Sequence, residues 1–84
     1  MIDYEDVLRE LVVPMVDDKD SISVKRMESL NEDEILLYVY ANSNDVARLI
    51  GRQGSMASAI RQMLSIASFD QHKKISIKFE ALND

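Results

Sequence analysis

The only two glycines of this chain stand three apart, at positions 51 and 54, between two short segments of helical periodicity. Glycine reaches backbone conformations that a side chain obstructs, so Gly51-Arg52-Gln53-Gly54 reads as a tight turn open to an approaching strand. Ahead of it, Asn42 to Asp45 reads as a helix start, and Val46, Leu49 and Ile50 supply a short apolar face. Behind it, a second helix from Ser55 to Ser68 places Ala57, Ile60, Leu64 and Ala67 on one stripe. Such a turn directs the free N–H groups and positive dipole end of the second helix at whatever occupies the loop, which favours an anion such as phosphate. Arg52 adds a mobile cation and Gln53 adds donors. Two glycines at this spacing are equally compatible with a plain connection between helices. The surrounding order of elements therefore matters.

Asp3 and Asp6 form an approximate capping pair for a first helix, in which Val7, Leu8, Leu11, Val12 and Met15 recur at helical spacing. Pro14 falls inside that pattern and predicts a kink or a shortened last turn. Asp17-Asp18-Lys19-Asp20 is a polar turn. Ile22 and Val24 alternate with Ser21, Ser23 and Lys25, as in a strand with one buried face. After a turn at Asn31 to Asp33, the run from Ile35 to Ala41 is apolar on both faces and predicts a strand covered on both sides or nearly so. Lys74 to Leu82 closes the chain as an alternating strand. The predicted order is helix, strand, strand, helix, helix, strand. This is an α+β arrangement of two layers, with helices covering one face of a three-stranded sheet.

An 84-residue chain is one domain, residues 1–84, with a small core. It has no cysteine, which excludes disulfides and thiolate metal sites. The acidic N-terminus is unlike a signal peptide, and the longest apolar run is far short of the about 20 residues that cross a bilayer, so a cytoplasmic protein without a membrane partner is expected. The net charge of −5 is unevenly spread. Residues 1–42 carry −7, whereas residues 43–78 carry +4 through Arg48, Arg52, Arg61, Lys73, Lys74 and Lys78 against Asp45 and Asp70. An acidic protein can thus present one basic surface, although small proteins are often lopsided by chance.

Apolar pairs before the loop, Ala57 and Ile60 after it, and the strand–helix–loop–helix–strand order together form the pattern of a KH domain, whose loop clamps four backbone nucleotides of a single strand. Two strands before the loop and one after it resemble the type II, prokaryotic arrangement. The segments Leu11-Val12-Val13-Pro14-Met15-Val16-Asp17 and Asn44-Asp45-Val46-Ala47-Arg48-Leu49-Ile50-Gly51-Arg52-Gln53-Gly54 resemble the stand-alone bacterial KH proteins of the KhpA family, over nearly the whole chain. That resemblance implies an RNA chaperone that self-associates and pairs with a larger multidomain KH protein, KhpB. In Gram-positive bacteria the pair is linked to cell length and peptidoglycan homeostasis. It also implies that Gly51, Arg52, Gln53 and Gly54 form the nucleotide clamp; Ile50 and Ser55 next to it, and Arg48 and Arg61 from the basic second half of the chain, are expected to join it in RNA binding. The family usually has Arg or Lys directly after the second glycine. Here it is Ser55, a hydroxyl donor without a full charge.

On the second helix, Met56, Ala59, Met63 and Ile66 make a second apolar stripe beside the first, so about half the circumference is apolar where a surface helix needs roughly 100°. The extra stripe is read as a dimer face suited to flexible methionine, as a surface buried by the first helix, or as one wall of a base-binding groove. Tyr38 and Tyr40 are read as core packing on a central strand, with base stacking as the alternative. His72 lacks a second ligand nearby in sequence, Asp17, Asp18 and Asp20 lack the glycine and glutamate of a calcium loop, and Ser55 lacks a base. No catalytic set, metal site, cofactor or small-molecule substrate is expected. The leading expectation is a non-enzymatic protein that binds single-stranded RNA. The alternative is a protein–protein adaptor that uses the same fold mainly to dimerise or dock.

Overall fold

The computed structural model describes residues 3–68 and 74–82. Asp70, His72 and Lys73, and the side chain of Ala67, lie outside the described residues. The first helix, α1 (Tyr4–Val12), starts where expected: the Asp3 carboxylate accepts from the N–H groups of Glu5 at 3.0 Å and Asp6 at 3.3 Å. Pro14 acts as a stop, because α1 gives way at Val13–Met15 to a single 3-10 turn with proline in its first positions. The three strands are β1 (Ser23–Met27), β2 (Glu34–Ala41) and β3 (Lys74–Ala81). β2 lies in the middle, antiparallel to β1 and parallel to β3. The crossover between the parallel strands consists of α2 (Ser43–Ile50), the glycine loop and α3 (Ser55–Ser68).

The helices cover one face of the sheet, and the core lies between the layers. Leu8 and Val12 of α1, Leu37 and Val39 of β2, Leu49 of α2, and Ile60 and Leu64 of α3 are all fully buried. The first turn of α1 is also fastened to the β1 edge. Glu5 Oε2 accepts from the Arg26 N–H at 2.6 Å, and the Arg26 guanidinium lies 5.5 Å from the centre of the Tyr4 ring.

The expectation for β2 needs correction. Its burial alternates strictly: Ile35, Leu37, Val39 and Ala41 are buried, whereas Leu36, Tyr38 and Tyr40 are only half-buried. With the helices all on one side, the second face of β2 is shielded only by its own neighbours. Tyr38 and Tyr40 therefore lie outside the core, side by side, with ring centres 6.0 Å apart.

Asp45, which the sequence marks only as a helix-start residue, ties the layers together. It is 1% exposed, and its two carboxylate oxygens accept from the N–H groups of Asp17 at 3.0 Å and Asp18 at 3.1 Å. Its own N–H donates to Asn42 Oδ1 at 2.9 Å, the N-cap of α2. The polar turn after α1 is thus pinned to the start of α2. Backbone donation, foremost from Asp17, holds the Asp45 carboxyl below its ordinary value of 3.8, with the Arg48 charge assisting. A depressed folded-state value stabilises the fold at neutral pH, and the contribution is lost as pH falls from about 3.8 through the lower folded value. The melting temperature should therefore fall with acidification below that point. An Asp45→Asn variant should start lower at neutral pH and show a shallower acid decline in thermal melts.

Candidate nucleic-acid interface

The loop between α2 and α3 owes its shape to three demands on the backbone, at Gly51, Gln53 and Gly54. Gly51 closes α2, donating its N–H to Ala47 O at 3.0 Å, and adopts φ 75°, ψ 179°, a region essentially closed to other residues. A Cβ there would sit 2.7 Å from Met56 Cβ and 2.9 Å from Met56 N, so the first turn of α3 packs directly on this glycine. Gln53 is left-handed at φ 56°, ψ 26°, a conformation that costs a side-chain-bearing residue about 1–2 kcal/mol. Gly54 follows at φ 79°, and a Cβ built on it meets nothing within 4 Å. One glycine is required by packing from within. The other leaves open space on the outside.

This difference is testable. Gly51→Ala should destabilise the fold by about 1–3 kcal/mol through its backbone conformation alone, with the clash against Met56 added. Gly54→Ala should lose only the backbone contribution. Urea unfolding midpoints should therefore fall further for Gly51→Ala than for Gly54→Ala.

Arg52, Gln53 and Ser55 are exposed, and Ile50 and Gly54 are half-buried at the two ends of the loop. Arg48 and Arg61 are both exposed but differ in their engagements. Arg48 Nη1 lies 3.2 Å from Asp17 Oδ2 and 3.2 Å from Asp45 Oδ1, so its charge already serves the clasp between the layers. Among the described residues, Arg52 and Arg61 have no ion-pair partner. Lys74 stands at the start of β3, on the face of the sheet remote from the helices, paired in register with Glu34. The basic second half of the chain is thus divided between surfaces.

At 100° per residue, α3 has three stripes. Ile60 and Leu64 are buried, with half-buried Ala57 beside them. Met56, half-buried Ala59, Met63 and Ile66 form one flank; the methionines are 37% and 43% exposed and Ile66 is 73% exposed. Ser58, Arg61 and Ser65 form the other flank. The first helix therefore does not cover the second apolar stripe.

The KH domain family KhpA/KhpB matches residues 5–79, which spans both layers and the whole loop. The chain belongs to that family. It is similar to the RNA-binding protein KhpA of Bacillus subtilis, 34% identical over 88% of this chain and 89% of the relative. It is similar also to that of Lactiplantibacillus plantarum, 34% identical over 95% and 92%, and more distantly to that of Borreliella burgdorferi, 25% identical over 87% of each. The mixed sheet and the order α-β-β-α-α-β make it a type II KH fold, as the sequence predicts. For this KH domain, the glycine loop and the N-terminal turn of α3 are the elements that sequence and structure both bring together. Sequence reasoning missed the engagement of Arg48, although Asp45 at i−3 was the available signal.

Proposed function

We propose that this protein binds single-stranded RNA at the Gly51–Gly54 loop, without catalysis, and acts as an RNA chaperone or post-transcriptional regulator in the cytoplasm. The observation that carries this reading is the open outer side of Gly54 next to exposed Arg52 and Gln53, at the N-terminus of a 14-residue helix. A phosphate backbone can approach there without meeting a side chain, and it meets a cation, an amide and the positive end of α3. The names of the B. subtilis and L. plantarum relatives, RNA-binding protein KhpA, support it. Ser55 contributes a hydroxyl donor where a charge is usual for the family. Pairing with a larger KH partner of the KhpB kind, and a link through it to cell length and peptidoglycan homeostasis, belong to the same proposal.

Titration of labelled single-stranded RNA at two salt concentrations tests it. With Arg48 engaged internally, Arg52 and Arg61 are, among the described residues of the loop and α3, the cations left to release counterions. At roughly −0.7 per phosphate, log K for a short oligonucleotide should fall with log salt at a slope of about −1.4. A salt-independent affinity, or none, would remove the loop reading.

The exposed Met56, Met63 and Ile66 favour a second, compatible reading: self-association through α3, with the same flank serving a larger KH partner. In the adaptor version of this reading, docking rather than RNA is the main task. Sedimentation of the protein with and without RNA separates the two.

A further inference from the structure

The face of the sheet turned away from the helices carries a row that the loop reading does not use. The register places Lys25 of β1, Tyr38 of β2 and Lys78 of β3 side by side across the three strands. Both lysines are exposed, and Tyr38 between them is half-buried beside Tyr40. On this face Lys25, Lys74 and Lys78 stand against Glu34 and Glu80, so it is net positive on a chain whose total is −5. The Glu34 carboxylate accepts from the hydroxyls of Ser29 and, at 2.7 Å, Ser76 and keeps its charge, which lies toward the Lys74 end of the row and leaves a net of one positive charge on this face. Among the described residues no helix covers these rings.

We propose that this open sheet face is a second contact for single-stranded RNA, in which a base stacks on the Tyr38–Tyr40 pair while Lys25 and Lys78 hold the flanking phosphates. Aromatic side chains set in a basic surface are what a single strand needs: a π-face for the base and charge for the backbone. A partner protein of acidic surface would match the lysines but has no specific use for the ring pair. The proposal rests on the reading that this protein binds RNA, but not on the loop as the place. It implies that an RNA longer than the loop can hold engages two surfaces and binds more tightly through effective concentration.

The test compares oligouridylates of about four and about twelve nucleotides. The protein has no tryptophan and three tyrosines, and the third, Tyr4, is buried, so quenching of tyrosine emission by RNA reports on Tyr38 and Tyr40. The longer oligomer should quench. Tyr38→Leu with Tyr40→Leu, which keeps apolar cover but removes the rings, should weaken the longer oligomer about tenfold and leave the shorter one unchanged. Lys25→Gln with Lys78→Gln alters exposed side chains only and settles the matter if the leucine variant fails to fold. It should make the salt slope for the longer oligomer shallower by about 0.7 per lysine. Absence of quenching, together with an unaltered slope in the lysine variant, overturns the second contact and leaves the loop reading standing. Loss of binding in the sheet variants but not in Arg52→Asp/Gln53→Asp removes the loop and keeps this face. A change in sedimentation without a change in RNA affinity assigns the face to protein docking and also overturns the proposal.

Discussion

Replacing Arg52 and Gln53 together by aspartate should abolish measurable binding of a single-stranded RNA of about four nucleotides while leaving the circular dichroism spectrum unchanged. Both side chains are exposed, so no core contact is lost. Aspartate is also among the few residues that visit the left-handed conformation readily, so it fits position 53, where φ is 56°, at least as well as glutamine does. The electrostatic change is large by comparison. A unit charge about 4 Å from a phosphate is worth about 1 kcal/mol even at the dielectric constant of water. Reversing Arg52 and adding a negative charge at 53 therefore shifts binding by about 3 kcal/mol, or about two orders of magnitude. A folded double variant that retains wild-type affinity for the short RNA would take the function away from this loop.

The second large effect is expected at the outer flank of α3. The unmodified protein should sediment as a dimer at micromolar concentration, and Met63→Glu should sediment as a monomer. Met63 is 43% exposed, so glutamate there faces solvent in the isolated domain and should alter stability by no more than about 0.5 kcal/mol. In a two-fold dimer the same flank meets itself, and each copy then buries an unpaired carboxylate at about 3–5 kcal/mol. The dissociation constant should rise at least about a thousandfold. If the unmodified protein is monomeric at high micromolar concentration, the flank has another occupant. If a larger KH partner docks on this flank, it should compete with self-association, and the same substitution should abolish both.

Most of the architecture was legible because local signals and tertiary demands agree. Asp3 announces α1, and its carboxylate does cap it; Pro14 announces an ending, and the helix becomes a 3-10 turn there. The glycine pair is legible because backbone conformation is a property of residue type. At Gly51 and Gly54 the chain turns through positive φ, which a glycine adopts without a Cβ penalty. What the sequence left undecided are the interactions between segments distant along the chain. Arg48 belongs to an available cluster of cations until Asp17, far from it in sequence, is brought within 3.2 Å. Asp45 is an ordinary acid in a first helical turn until the turn after α1 directs two N–H groups at it.

The same division explains β2 and α3. Periodicity shows that both carry more apolar surface than one buried face needs, and that is as far as composition along one element reaches. Which excess face is covered depends on where the neighbouring elements dock. The helices fill the side of β2 that holds Leu37 and Val39, which leaves Tyr38 and Tyr40 half-exposed in a row with Lys25 and Lys78. The α1 and sheet contacts consume Ile60 and Leu64 of α3 and leave Met56, Met63 and Ile66 outside. The sequence by itself therefore determined the order of elements, the turn and the chemistry of the loop, because capping, periodicity and glycine conformation act within a few residues. Only the tertiary structure decided which cations are free and which apolar faces remain open, because burial and ion pairing depend on partners that the linear order does not place side by side.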